Sequence, residues 1–147
     1  MTLRWLIASL HLLTLPLGLG AVWARSRALR RAQSELHHVF LADNLWALAA
    51  VLWISTGLLR AFGGLEKGAA YYLHDRAFYV KMALLVTILA LEVWPMVTLI
   101  RWRIAEGRGA TPNLTVASRL ARISQMQAVL VILIVFAATA MARGFFH

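Results

Sequence analysis

Four apolar blocks constrain this chain more than any other feature: residues 3–22, 43–59, 78–99 and 123–142, each seventeen to twenty-two residues long. About twenty mostly apolar residues, each adding about 1.5 Å, make a helix that crosses the hydrocarbon core of a bilayer. In lipid the backbone must satisfy its own polar groups, and a helix does this within one segment. The blocks therefore predict an all-α integral membrane four-helix bundle. A length of 147 residues fits a single transmembrane domain. The content of 61% hydrophobic and 14% charged residues is far from that of a soluble domain. Helices joined by short loops should pack antiparallel.

The net charge of +9 does not point to nucleic acid, because the basic residues flank the spans. Arg25, Arg27, Arg30 and Arg31 follow the first block, and Arg101, Arg103, Arg108, Arg119 and Arg122 lie between the third and fourth. The opposite side has Arg4, Arg60, Lys67, Arg76 and Arg143. Nine against five predicts that the two Arg-rich loops are cytoplasmic and both termini lie on the outer side. The first block resembles a signal peptide, with Val22-Trp23-Ala24 as a cleavage site, but one Arg before it and four after it argue for a retained span. There is no cysteine, so disulfides, thiolate ligands and Cys nucleophiles are excluded.

Within the first helix, Trp5 and Trp23 flank the span as interfacial anchors. Pro16 predicts a kink that frees the carbonyl of Leu12, and Pro95 does the same for Leu91 in the third helix. Arg4, Ala8, His11, Leu15, Gly18, Val22 and Arg25 fall on one stripe, and Asp43, Ala47, Ala50, Gly57, Ala61 and Gly64 on another. Small residues there predict close helix–helix contact. Residues 26–41 mix apolar and charged positions, so they either prolong the first two helices beyond the membrane or lie at its interface. Gly107, Gly109 and Pro112 mark a loop, with the last helix starting near Thr115.

Depth sorts the polar residues of the spans into two layers. Lys81 and Glu92 share a face of the third helix but lie about 16 Å apart, too far to pair. The outer layer holds His11, Arg60, Lys81 and the loop residues Tyr71, Tyr72 and His74. Lys81 is about 5 Å inside the span, where its bland reading is snorkelling to the headgroups. His11, about 12 Å inside, is a packing residue, a haem or metal ligand, or a proton relay. A bare metal site is disfavoured, because no Cys and no second His at helical spacing supports it. His37 and His38 belong to the basic loop. The inner layer holds Asp43, Glu92, Arg122 and Gln125. A carboxylate at that depth needs a cation, and Arg122, which shares a face with Gln125, is the expected partner of Glu92 or Asp43. The functional alternative is a proton path or an anionic-ligand site. No enzyme signature is present: there is no nucleotide loop, no Ser/His/Asp order and no glycosidase-like carboxylate pair.

The run Gly57-Leu58-Leu59-Arg60, then Lys67-Gly68-Ala69-Ala70-Tyr71-Tyr72, then Phe78 and Lys81, resembles the bacterial membrane-protein family known as domain of unknown function 2214. Pro95 with Arg101-Trp102-Arg103, the ending Ala142-Arg143-Gly144, His11 and Asp43 extend the resemblance over nearly the whole chain. It implies a four-helix protein of a bacterial inner (cytoplasmic) membrane, with the outer side and both termini periplasmic, without implying an activity. Two positions depart from the family pattern. Glu92-Val93-Trp94-Pro95-Met96 stands where a small polar residue and Tyr-Pro-Thr are expected, and Arg25 stands where an acidic residue ends the first helix. The placement of His11 and Lys81 is also similar to that in copper-resistance-D-like proteins and haem-b protoporphyrinogen oxidases.

Two functional readings follow. In one, a cofactor or anionic ligand, with haem b implied by the second resemblance, is held at His11, with Arg60, Lys81, Tyr71 and Tyr72 around it and the cations meeting its acidic groups. In the other, the protein is a non-catalytic accessory or assembly subunit. Its small-residue faces then pack against a larger membrane complex or a second copy. Transport ranks third, since four helices would have to oligomerise to form a path.

Overall fold

The computed structural model describes residues 2–63 and 76–143. They form four helices: α1 (Thr2–Leu29), α2 (Ala32–Phe62), α3 (Arg76–Gly107) and α4 (Ala117–Ala142). Each is long and apolar enough to cross a membrane. At 26 to 32 residues they run about 39–48 Å, which exceeds a hydrocarbon core of about 30 Å. The surplus lies at the end carrying the α1–α2 and α3–α4 connections, where residues 26–41 prolong α1 and α2 and leave a turn at Arg30 and Arg31. Glu35 alone leaves helical geometry inside α2 (φ −123°, ψ 28°). Trp5 and Trp23 are both well exposed on α1. Eighteen residues separate them, about 27 Å of helix, which matches the core thickness and puts Arg25 just past the inner anchor.

The end of α3 shows how the sequence sets a boundary. Ala110 N donates to Ala105 O and Gly109 N to Glu106 O, a Schellman motif with Gly109 at φ +72°. That left-handed conformation favours glycine, and Pro112 follows where it cannot extend the helix. The helix after the loop starts at Ala117, two residues past the expected Thr115. Pro16 and Pro95 lie inside α1 and α3, which remain single helices.

Helix α1 packs against both α2 and α4, and α3 packs against α4. The order around the bundle is thus α2–α1–α4–α3, and α2 meets α3 mainly through side chains. The core has three tiers. The first, beyond the inner anchor, gathers Leu29, Val39, Phe40, Leu99, Trp102 and Leu120. The second, within the membrane, gathers Val22, Trp46, Ile88, Val131 and Ile134. The third joins Ala61 to Phe78, with Met82 and Met141 against them.

The α1 stripe is buried at His11, Gly18, Val22 and Arg25, whereas Arg4 is exposed. A Cβ on Gly18 would sit 3.4 Å from the Cβ of Ala49, the close approach that small residues permit. On the α2 stripe Ala61 is buried and Asp43, Ala50 and Gly57 are half-buried, but Ala47 is exposed and the most buried line runs through Ala42, Trp46, Ala49 and Thr56; Gly64 lies outside the described residues. Ala49 and the ring of Trp46 together fill the space beside Gly18, at 3.4 and 3.6 Å from that Cβ position.

Candidate functional site

The inner layer centres on Arg25, whose relative exposure is 0%. A guanidinium has five N–H donors in a fixed fork, and here all five are used. Nε donates to Ser124 Oγ at 3.1 Å. Nη1 donates to Asp43 Oδ1 at 2.8 Å and to Glu92 Oε1 at 2.7 Å. Nη2 donates to Glu92 Oε2 and to Gln127 Oε1, each at 2.8 Å. The contact with Glu92 is the bidentate geometry that makes Arg–carboxylate pairs strong and directional. Trp46 Nε1 and Gln127 Nε2 also donate to Glu92 Oε2, at 3.0 and 2.7 Å. On the far side of Asp43, Arg103 Nη2 donates to Oδ2 at 2.8 Å, while its Nη1 reaches Asn44 Oδ1 and its guanidinium lies 4.7 Å over the Phe40 ring.

Two guanidinium groups thus face two carboxylates, and the four charges cancel. All four helices contribute: Arg25 from α1, Asp43 and Trp46 from α2, Glu92 and Arg103 from α3, Ser124 and Gln127 from α4. With Oε2 of Glu92 accepting three hydrogen bonds, the arrangement suits a lock more than a proton carrier.

Glu92 and Asp43 take the inner-layer places expected of them, but their cation is Arg25 and not Arg122. The buried face of α4 runs through Ala117, Leu120, Ala121, Ser124, Gln127 and Ala128. Arg122 falls off that face and is exposed, and Gln125 accepts a hydrogen bond from Arg30 Nη2 at 2.8 Å outside the cluster. Sequence reading had placed Arg25 among the loop cations and missed Trp46, Ser124 and Gln127. The available signal was spacing: Trp46 is one turn from Asp43, Ser124 and Gln127 are three apart, and Arg25 shares the stripe of His11.

The outer layer centres on His11, buried with 8% exposure. Its Nδ1 lies 2.8 Å from Thr56 Oγ1, and its ring stacks on Trp53 at 5.9 Å and 25°. The hydroxyl of Thr56 also lies 2.6 Å from Leu52 O and 3.2 Å from Trp53 O, which tie it to the preceding turn of α2. Gly57 makes room for the ring, since a Cβ there would sit 3.2 Å from His11 Cε1. Arg60 lies one turn beyond Thr56 on α2, and Lys81 lies in the second turn of α3, both half-buried at the same end of the bundle as His11. Tyr71, Tyr72 and His74 lie outside the described residues. Among the described residues no cluster of three or more His, Cys, Asp or Glu forms a metal cage.

Between the two layers a partly open crevice of about 50 Å³ separates α2 from α3. Trp46, Ala50 and Trp53 form one wall, Leu85 and Leu89 the other, and Glu92 lies at its inner end. No curated protein and no solved structure matches the chain. One family model, described as "Predicted membrane protein (DUF2214)", matches residues 3–145. With four candidate spans and a match over nearly its whole length, the chain belongs to that family of membrane proteins.

Proposed function

We propose that the protein is a cofactor-binding membrane protein whose outer site, built on His11, holds haem b. The carrying observation is the setting of His11: an imidazole buried in a span, hydrogen-bonded at Nδ1 to Thr56 and stacked on Trp53, at the end of the bundle that carries Arg60 and Lys81. An imidazole anchored in this way fits a haem ligand. His11 would hold the iron, and Arg60 and Lys81, at the same end of the bundle, would meet the propionates. Tyr71 and Tyr72 complete the site in this reading. Bound haem would supply one-electron redox chemistry. The chain's own residues orient the imidazole through Thr56, back it with Trp53 and keep water away by burial. We place the protein in a bacterial inner membrane with both termini periplasmic, on the strength of the nine Arg at the inner connections.

The test is an absorption spectrum of the purified protein after expression with haem supply. The expected result is a Soret band that His11→Ala abolishes. A colourless protein, or a band indifferent to His11→Ala, would refute the reading. A reporter fused after His147 tests the orientation, and cytoplasmic activity would overturn it.

A second reading, as an accessory or assembly subunit, draws on the saturated Arg25 cluster. A neutral lock tying four helices together serves rigidity, and a rigid apolar bundle suits packing against a larger membrane complex or a second copy. Copurification of the colourless protein with other membrane subunits distinguishes this reading from the first.

A further inference from the structure

The two halves of the bundle differ in charge. The carboxylates among the described residues, Glu35, Asp43, Glu92 and Glu106, all belong to α2 and α3, whereas α1 and α4 contain none. Asp43 and Glu92 match Arg25 and Arg103, and Glu35 matches Arg31. The outer surface of the α1–α4 seam has no such match. Trp23, Arg27 and Arg30 recur at i, i+4 and i+7, one exposed stripe of α1. Arg122, Gln125 and Val129 recur at i, i+3 and i+7 on α4. The hydrogen bond from Arg30 Nη2 to Gln125 Oε1, at 2.8 Å, puts these two stripes side by side. Arg25 Nε donates to Ser124 Oγ, and Ser26 Oγ donates to Ala121 O at 2.9 Å; in that antiparallel register Arg27 and Arg122 stand level. Both are exposed, and neither pairs with a carboxylate among the described residues.

We propose that Arg27, Arg30 and Arg122 bind the phosphate of an anionic phospholipid, seated on the α1–α4 seam in the leaflet at the Arg-rich end of the bundle. Guanidinium forks match phosphate oxygens bidentately. Depth places them correctly. Trp23 is an interfacial anchor, and Arg27 follows it by four residues, about 6 Å of helix, which brings the cations to the height of the headgroups. Arg30 is already drawn back toward the membrane by its bond to Gln125. On the hydrocarbon side of the cations the same stripes continue as Gly20 and Pro16 on α1 and Val129 on α4, all exposed. Acyl chains can lie along the seam that holds their headgroup, an advantage that a soluble anion lacks. Charge selects among lipids. A zwitterionic headgroup brings an ammonium that no carboxylate of α1 or α4 can receive, whereas a net negative one meets cations alone.

This seam lies at the opposite end of the bundle from His11 and stands apart from the haem reading. The test is native mass spectrometry of the delipidated full-length protein, titrated in detergent with phosphatidylglycerol or phosphatidylcholine, which resolves each bound lipid. The first phosphatidylglycerol should bind about five- to thirtyfold tighter than the first phosphatidylcholine, and Arg27→Gln/Arg122→Gln should erase that preference. Arg101→Gln/Arg108→Gln removes as much charge from the same end of α3 and should leave the preference intact. All four arginines are exposed and outside the Arg25 cluster, so both variants should keep the native circular dichroism. Equal affinity for the two lipids would overturn the proposal. So would an equal loss of preference in the two double variants, which would reduce the seam to a general attraction by basic surface. Inorganic phosphate, exchanged for chloride at equal ionic strength, should leave the lipid bound; displacement would make this a simple anion site and overturn the lipid as its ligand.

Discussion

Replacing Arg25 by Met tests the inner lock. The change removes five hydrogen bonds while keeping a long side chain in place. Glu92 Oε1 loses its partner, whereas Oε2 keeps Trp46 and Gln127; Asp43 Oδ1 loses its partner, whereas Oδ2 keeps Arg103. The cluster goes from neutral to one net negative charge. Removing one partner of a buried pair costs about 3–5 kcal/mol. Side-chain exposures of 19% for Glu92 and 17% for Asp43 let some solvent reach the orphaned oxygens, which favours the lower end, about 3 kcal/mol or roughly a hundredfold in the folding equilibrium. Titration with SDS in mixed micelles, followed by circular dichroism, measures this loss. The double variant Arg25→Met/Glu92→Gln restores neutrality and should recover about 1 kcal/mol or more of the sum of the single losses. A loss below about 1 kcal/mol, the size of a surface ion pair, or strict additivity in the double variant, would refute the idea that these charges form a buried lock.

Arg103→Ala, at the half-exposed edge of the same cluster, should cost less than half as much as Arg25→Met in the same titration, because Asp43 keeps Arg25. Thr56→Val deprives His11 Nδ1 of its hydrogen-bond partner and should cost about 1–3 kcal/mol, and in the haem-loaded protein it should weaken cofactor retention measured by Soret absorbance. Gly18→Ala should be tolerated or gain up to about 1 kcal/mol, since the added Cβ makes only an ordinary 3.4 Å contact; Gly18→Leu should force α1 from α2 and lower the thermal midpoint in detergent.

The architecture was legible because lipid leaves a chain few choices. Block length gave the spans, and the mixed polarity of residues 26–41 already allowed the helical extensions that the structure contains. His11 stood out for the same reason, as an imidazole in hydrocarbon. The partner of Glu92 was harder to find. Arg25 lies at the boundary where loop cations begin, and one residue of helix rotation, about 100°, separates a lipid-facing Arg from a buried one. A different clue was available. The resemblance leads one to expect an acidic residue at Arg25 and a small polar one at Glu92, and these two side chains meet at 2.7 Å. Two departures that bring opposite charges into one chain are easier to explain as a pair than separately. Gln127 and Trp46 were hidden because an amide and an indole are ordinary at helix positions until a carboxylate is known to face them.

The connectivity of the Arg25 cluster also bears on how the chain enters a membrane during synthesis. Asp43 follows Arg25 by 18 residues, Glu92 by 67 and Gln127 by 102. The first counter-charge therefore belongs to the same helical hairpin as the arginine and emerges directly after it. The cation can be neutralised when two helices exist, before α3 and α4 have been made. Glu92 and then Ser124 and Gln127 add to a charge already masked, so the contacts from α4 come last. The order of residues along the chain spares the half-made protein an isolated charge in the bilayer.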